Sequence, residues 1–274
     1  MTITRNKLYA GISICAVTMT MLLGGCKKDS PAAPAKTTYQ LAVKDQLGVS
    51  GTVTFTQLSS TVTTIDIVLT GGDAASHPAE IRNGAAVEGG TTAITLTPIV
   101  GGKSTTQVST LDNSSIINYA QLIAFDGYID VHESSTDLTT IIAQGDIGGN
   151  ALTSTTKSYV LDSVGAFGVS GTVLFTKRVN GTTLASISLI GALSTGTYPA
   201  DIRLGSVTTV GGGPVTKTLN SVDGTTGKSY TNIRSLDSGT AITYDNILVY
   251  DGYVAVEESA TLPTVICQGN IGTH

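Results

Sequence analysis

Histidine and cysteine, the residue types that most often hold metals or act as nucleophiles, occur three times each in this chain of 274 residues. His132 lies two residues from Asp130, so alternation along a strand would place an imidazole and a carboxylate on one face. His77 could join them from another strand. Such a set would suit zinc or copper, which usually take three or four ligands. The alternative is a partly exposed histidine on a strand, without a metal.

Two acid-x-arginine pairs form the second candidate site. Glu80 and Arg82 make the first pair, and Asp201 and Arg203 make the second. Because residues i and i+2 share one face of a strand, each pair predicts an ion pair on that face. An exposed pair of this kind contributes about 0–1 kcal/mol to stability. The alternative hypothesis is that these four residues form a small polar recognition site for a ligand or partner.

The sequence carries no familiar catalytic motif. It contains no G-x-S-x-G elbow, no H-E-x-x-H helix and no phosphate-binding loop. Cys267 lies in an apolar segment and is expected to be a small buried residue rather than a nucleophile. We therefore expect a protein that is not an enzyme and has no cofactor. Four acidic residues predict a solvated acidic face, with a calcium site as the alternative: Asp126, Asp130, Glu133 and Asp137.

The N-terminus has the anatomy of a targeting segment. A basic start is followed by a mostly apolar, uncharged run at residues 8–23, and Gly24 and Gly25 then precede Cys26. This pattern resembles the lipobox of bacterial lipoproteins, in which the cysteine is lipidated and becomes the first residue of the mature chain. Residues 1–25 are therefore predicted to be a lipoprotein signal peptide. Residues 26–38, rich in proline and alanine, are predicted to be a flexible tether.

Lipidation of Cys26 would fix the location of the protein. Two or more acyl chains hold a protein stably on a bilayer. We expect a cell-envelope protein on the outer membrane of a Gram-negative bacterium, facing either the periplasm or the medium. The expected partners are the membrane and an unidentified protein or glycan. Cleavage after residue 25 would change the formal net charge from −5 to −7, and this acidic balance argues against nucleic-acid binding.

The rest of the chain is a duplication. The copies span residues 39–148 and 159–272, each the size of one domain, with a linker at 149–158. The first copy has a formal net charge of −8 and the second −2. Four motifs recur in the same order: VSGTV at 49 and 169, HPAEIR or YPADIR at 77 and 198, DGY at 126 and 251, and QGDIG or QGNIG at 144 and 268.

The sequence of each copy predicts strands separated by glycine-rich turns. Threonines alternate with apolar residues, and only 13% of the residues are charged, which disfavours a mainly helical fold. We predict an all-β protein with two tandem antiparallel β-sandwich or barrel domains, each with one short helix. The helix of the first copy is predicted from i, i+3, i+4 and i+7 spacing, with Ser114 or Ser115 as N-cap and Gly127 as C′ residue. Its counterpart follows Thr240 and ends before Gly252.

These motifs, together with the late strand YIDVH, resemble those of CHRD (chordin-type) domains in both copies. The resemblance implies a β-rich extracellular module, and its bacterial members are largely of unknown function. The family's middle motif commonly runs H-P-A-H-I-H, whereas this chain places Glu80 and Arg82 at the second and third histidine positions. The second copy keeps none of these histidines and replaces His132 by Glu257. These departures argue against a metal site shared by the two copies.

The sequence as a whole predicts a lipid-anchored cell-envelope protein. Its two CHRD-like domains are expected to act as a non-enzymatic structural or interaction module. One alternative is a metal-binding or metal-dependent redox protein that uses His77 and His132. Another is an adhesin or glycan-binding surface protein, for which Tyr128 and Tyr253 are expected to be exposed on matched strand faces.

Overall fold

The computed structural model describes residues 33–44 and 48–274. The predicted signal peptide, Cys26 and most of the predicted tether lie outside the described residues. The chain divides into residues 1–33 and a compact unit of residues 34–274, which contains both copies. No helix in the part of the chain that the structure describes is long and apolar enough to span a lipid bilayer.

The first copy forms a module of ten strands and one short helix, here called the first module (residues 36–148). Its elements are β1 Lys36–Val43, β2 Ser50–Gln57, β3 Thr63–Thr70, β4 Ser76–His77, β5 Ala79–Asn83, β6 Thr92–Thr95, β7 Ile99–Val100, β8 Lys103–Val108, α1 Tyr119–Leu122, β9 Asp126–Ser134 and β10 Asp137–Gly148.

The second copy forms a module of eight strands and one short helix, here called the second module (residues 152–272). Its elements are β11 Leu152–Ser163, β12 Ser170–Arg178, β13 Thr183–Ile190, β14 Thr197–Leu204, β15 Val215–Asp223, β16 Lys228–Ile233, α2 Tyr244–Ile247, β17 Asp251–Glu257 and β18 Val265–Gly272. The predicted all-β fold class, with two tandem antiparallel domains and one short helix in each, is confirmed. The predicted linker at 149–158 includes the first seven residues of β11.

The second module is a closed antiparallel barrel. The first module is a curled sheet with the same order of equivalent strands, but two of these strands are interrupted. Pro78 separates β4 from β5, and Pro98 lies between β6 and β7. Proline has no N–H to donate to a ladder, which fits the interruption at Pro98, whereas Pro199, the equivalent of Pro78, lies within the continuous strand β14. In the second module Ser221 occupies the position of Pro98, and β15 runs through it without a break. The two modules therefore differ mainly in the continuity of one strand pair.

Alternation along the strands builds a separate apolar core inside each module. In β2, Val53 and Phe55 are fully buried while the threonines between them are only half-buried. Phe175 has the equivalent place in the second core. A tyrosine packs edge-on against each phenylalanine, with ring centroids 5.5 Å apart for Tyr39 and 5.9 Å apart for Tyr159. The predicted alternation thus places apolar side chains on the core face of each sheet and threonines on the opposite face.

The glycine of the repeated Gln-Gly motif is required by a close approach of two strands. A Cβ on Gly145 would lie 2.2 Å from the carbonyl oxygen of Gln40 on β1. A Cβ on Gly269 would lie 1.8 Å from the carbonyl oxygen of Val160 on β11. The motif that closes each copy is therefore a packing device, at the place where the last strand crosses the first.

Each helix has a single turn and begins later than predicted. Asn118 caps α1, and Thr243 caps α2 with the same reciprocal capping box. The predicted N-caps Ser114 and Ser115 are wrong, because these residues belong to the preceding turn. Gly127 is not a C′ residue but the second residue of β9. The apolar spacing misled the prediction because Ile116 is 76% exposed and forms a β-bridge instead of a helical turn.

The two modules meet through polar contacts around a buried arginine. Arg178 at the end of β12 is fully buried, and its Nη1 donates to Asp146 Oδ2 of the first module at 2.7 Å. Nη1 also donates to the carbonyl oxygen of Asn150, and Nε donates to Asn232 Oδ1 at 2.9 Å. Arg234 adds an ion pair to Glu88 across the junction at 2.5 Å. The two modules are therefore joined by direct side-chain contacts.

Candidate functional site

The predicted site residues lie on the outer face of each sheet, opposite the apolar core. In β9, Ile129 and Val131 point into the core, as the alternation predicts. The register places Glu80 of β5 beside Asp130, and Gln144 of β10 on its other side. This outer row of polar side chains, centred on β5 and β9, is here called the polar face of the first module.

The predicted ion pair between Glu80 and Arg82 is present. Arg82 Nη1 donates to Glu80 Oε1 at 2.6 Å, while Nε and Nη2 donate to the carbonyl oxygen of Gly90 at 2.9 and 2.7 Å. Thr92 donates to the second oxygen of Glu80. The Arg82 guanidinium also lies 3.7 Å from Asp130 Oδ2. The arginine is thus held between two carboxylates and a loop carbonyl, which fixes its direction.

Both predicted histidines are buried, and their rings contact different residues. His132 is 5% exposed, with Nε2 at 3.1 Å from Glu80 Oε1 and Nδ1 at 2.8 Å from the carbonyl oxygen of Leu138. His77 is 3% exposed, with Nδ1 at 2.8 Å from the carbonyl oxygen of Glu133 and Nε2 at 3.1 Å from Asp73 Oδ1. The expectation of a partly exposed histidine is wrong, because the β9–β10 hairpin contacts both rings through the carbonyl oxygens of Glu133 and Leu138.

The structure does not bring His77, Asp130 and His132 together as one set of ligands. The two rings line different cavities. Among residues 33–44 and 48–274, no three or more histidine, cysteine, aspartate or glutamate side chains are grouped so that they could hold a metal ion. The structure therefore offers no geometry in support of the metal-binding alternative.

The charges of the polar face shift one another's pKa. Burial raises the pKa of Asp130, although a hydrogen bond from Gln144 and the charge of Arg82 oppose that shift. Burial also opposes ionisation of Glu80, but hydrogen bonds from Thr92 and His132 and the Arg82 charge together hold its pKa below the usual value. The polar face thus holds one carboxylate that is readily ionised beside one that resists ionisation.

The second module repeats the arrangement without histidine. Arg203 Nε donates to Asp201 Oδ1 at 2.7 Å, and Nη2 donates to Asp201 Oδ2 at 3.0 Å and to Glu257 Oε1 at 2.5 Å. Hydrogen bonding to Asp201, opposed by burial, raises the pKa of Arg203 above its usual value. Ala255 occupies the position of Asp130, and Glu257 occupies the position of His132. Each polar face therefore has two carboxylates.

The two tyrosines expected to be exposed are buried. Tyr128 and Tyr253 are each 2% exposed. Burial and the neighbouring Asp130 raise the pKa of Tyr128 to about 12. The Tyr253 hydroxyl accepts a hydrogen bond from the Gly213 N–H at 2.9 Å. The prediction that Tyr128 and Tyr253 are exposed is therefore wrong.

A cavity of about 370 Å³ opens on the polar face of the first module. Its polar wall consists of Glu80, Arg82 and His132, and Pro78 and Leu138 supply apolar surface. A second cavity of about 480 Å³ lies along β1 and β10, close to the junction, and Gln144 and Asp146 line it. Carboxylate, guanidinium and hydroxyl groups beside small apolar surfaces can hydrogen-bond a small polar ligand.

Cys267 occupies the second core, as expected. Its thiol is free and fully buried, and burial raises its pKa to about 11. A thiol in this state is neither ionised near neutral pH nor accessible to a substrate. Cys267 therefore contributes packing.

Sequence reasoning missed the residues that join the modules. Arg178 aligns with Leu58 of the first copy, and Asp146 aligns with Asn270 of the second. Two copies of one domain share the residues that the fold needs, so positions where a charge appears in one copy alone are candidates for a contact between them. Comparing the charged positions of the two copies could therefore have identified Arg178 and Asp146 from the sequence.

Comparisons of the chain with protein-family models, with curated proteins and with solved structures find no match.

Proposed function

We propose that this protein is a lipid-anchored, non-enzymatic binding module of the cell envelope, with its ligand surface on the polar face of the first module. The observation that carries the proposal is the cavity lined by Glu80, Arg82 and His132. These three polar side chains are held by hydrogen bonds in fixed directions, which favours recognition of a ligand. The equivalent acid-arginine pair in the second module supports a common ancestral role for this face.

The surroundings of the most reactive side chains support the non-enzymatic part of the proposal. The side chains that most often perform catalysis are engaged elsewhere, since both rings of His77 and His132 contact loop oxygens and Cys267 lies in the core. The proposal that each module is a CHRD-like domain rests on the four motifs repeated in order in the sequence.

The proposed anchor rests on the sequence of the N-terminus. Lys36 is the first residue of β1, so residues 27–35 separate Cys26 from the first strand. A stretch of nine residues spans at most about 30 Å when extended. This length would hold the first module near the membrane surface.

Cell fractionation of two cysteine variants tests the anchor. We expect the unaltered chain and the Cys15→Ala variant to sediment with membranes, and the Cys26→Ala variant to lose that association. Cys15 is a matched control because it lies in the same predicted segment but outside the lipobox. Equal membrane association of both variants would contradict the lipid anchor.

A glycan is the ligand class that the cavity favours. Sugar hydroxyls can donate to the Glu80 carboxylate and accept from the Arg82 guanidinium, while Pro78 and Leu138 offer apolar surface to a ring. A glycan array probed with the full chain tests this assignment. We expect binding that is lost in Arg82→Gln and kept in Arg203→Gln, the equivalent change in the second module. Absence of binding to any glycan, or equal loss in both variants, would contradict it.

A further inference from the structure

The strand that opens the second module has a long edge without a neighbouring strand. β11 spans twelve residues and pairs with β12 over most of its length. On its other side, within the described part of the chain, it pairs with β18 through Asp162 and Ser163 alone. Residues 154–158 are all exposed. This segment is here called the β11 edge.

The backbone of the β11 edge directs hydrogen-bonding groups toward solvent. The Val164 N–H donates to the carbonyl oxygen of Ile266 on β18 at 2.9 Å. Because alternate residues of a strand direct their N–H and C=O groups to the same side, Thr156 and Ser158 face the side on which β11 has left its partner. The Val160 carbonyl oxygen lies against Gly269, where an added Cβ would be only 1.8 Å away. The accessible edge therefore ends at Ser158.

The two terminal strands of the first sheet, in contrast, are protected against pairing. They are β4 and β6, of two and four residues. Pro78 follows β4 directly, and Pro98 follows β6 within three residues. Short edge strands and prolines are common means of preventing contact with another chain. The β11 edge is longer and contains no proline, so it lacks both forms of protection.

A lysine can also block an edge, but Lys157 is engaged on another side of the strand. It lies opposite Phe175 of β12, so its side chain leaves β11 on the core face. Its Nζ is 5.4 Å from the centroid of the Tyr159 ring, a cation–π contact. Lys157 therefore does not extend across the edge.

We propose that the β11 edge binds the same edge of a second copy of this chain, as an antiparallel pair about a two-fold axis at Thr156. A two-fold axis sets residue i opposite residue j and j opposite i. Ser154 then faces Ser158, Thr155 faces Lys157, and Thr156 faces itself. The sheets of two barrels become continuous across the axis. This inference is independent of the proposed ligand and of the lipid anchor.

The side chains and the charge of the second module suit a second copy as the partner. Hydroxyl side chains directly opposite each other stabilise a strand pair. The equivalent strand β1 already has such a contact, since the hydroxyls of Thr38 and Thr54 lie 2.9 Å apart across β1 and β2. The second copy has a formal net charge of −2 against −8 for the first, so two second modules repel each other less than two first modules.

The axis at Thr156 is favoured over the neighbouring axes. An axis at Lys157 would place two lysines opposite each other, which destabilises a strand pair. An axis at Ser158 would need the Val160 carbonyl oxygen, which Gly269 covers. An axis at Thr155 would bring the partner strand to Leu152, which lines the cavity shared with the first module.

Disulfide cross-linking of the full chain, purified in detergent, tests the axis. In Thr156→Cys the two Cα atoms would lie about 5.5 Å apart, the spacing of a hydrogen-bonded pair, which a disulfide can bridge. We expect oxidation to give a dimer on non-reducing gels. Ser188→Cys is the matched control, because Ser188 is exposed on β13 and has a paired strand on both sides. Absence of the Thr156→Cys dimer, or equal dimer in the control, would overturn the proposal.

Mixed variants test the register. Ser154→Cys and Ser158→Cys would be directly opposite when the two variants are mixed. Two copies of either variant alone would place these residues roughly 14 Å apart, at about 3.4 Å per residue, which is beyond the reach of a disulfide. We expect a dimer from the mixture and none from either variant alone. Equal cross-linking in all three samples would overturn the two-fold pairing.

Amide hydrogen exchange of the unaltered full chain makes the test independent of any substitution. The N–H groups of Thr156 and Ser158 should gain protection as protein concentration rises, because they donate to the second copy. Lys36 and Thr38, at the equivalent positions of β1, should not change. Exchange at Thr156 and Ser158 that does not depend on concentration would overturn the proposal.

Discussion

Replacing Arg178 by methionine removes the charge at the centre of the junction while keeping much of the apolar stem. In the structure Arg178 is fully buried and hydrogen-bonds Asp146, Asn150 and Asn232, two of which come before the second module begins. The substitution leaves the Asp146 carboxylate, whose side chain is 12% exposed, without its cation. The perturbation is therefore the loss of one partner from a buried ion pair.

The expected cost follows from these contacts. Removing one partner of a buried ion pair costs about 3–5 kcal/mol, because the other charge remains desolvated. Three acceptors lose their donor at once, so the upper part of that range is the reasonable expectation. Lys177→Met is the matched control, since Lys177 is the neighbouring residue and its partner Asp245 is 67% exposed. Loss of that exposed pair is expected to cost less than about 1 kcal/mol.

Urea unfolding at pH 7, followed by circular dichroism and by tyrosine fluorescence, measures both changes. A third variant, Arg178→Met with Asp146→Asn, should recover part of the loss because it removes the unpaired charge. Asparagine is already found at this position in the second module, where Asn270 Oδ1 accepts from the Val207 N–H at 2.9 Å. If Arg178→Met costs no more than Lys177→Met, the reasoning that the junction depends on Arg178 is refuted.

Three other predictions concern single residues. Because burial raises the pKa of Asp130, its ionisation destabilises the fold as pH rises above the usual aspartate range. Asp130→Asn should therefore raise the free energy of unfolding at pH 7, and a decrease in urea melts would contradict this. The buried thiol of Cys267 should resist alkylation in the native chain at pH 8 and react once urea unfolds it; rapid native labelling measured by mass spectrometry would contradict its burial. Gly269→Ala should lower the unfolding midpoint strongly, since its Cβ would collide with the Val160 carbonyl, whereas Thr155→Ala on the exposed part of β11 should have little effect.

Local pattern was sufficient to predict the strands and the duplication. Alternation such as that of Val53 and Phe55 depends only on residues two apart, and the repeated glycine motifs mark places where strands cross closely. The acid-arginine pairs were predictable for the same reason, because both members lie on one strand. The sequence shows a proline at position 98, but it does not show which strand pairs with this segment. The effect of Pro98 on sheet closure was therefore not predictable.

Burial of the polar face was not predictable from local pattern. Alternation correctly placed Tyr128 and His132 on the face opposite the core, but both side chains are buried there, and His132 contacts the Leu138 carbonyl oxygen and Glu80. The N-caps of the helices were misplaced because the apolar spacing around Ile116 also fits a β-bridge. The junction around Arg178 depends on contacts between residues more than 20 positions apart, which periodicity cannot report.

The mass of the intact protein purified from membranes is the decisive measurement, because the proposed envelope function depends on lipidation of Cys26. We expect a chain that begins at Cys26 and carries acyl groups on that residue. A chain that keeps residues 1–25, or that begins at another residue with a free thiol at Cys26, would contradict it.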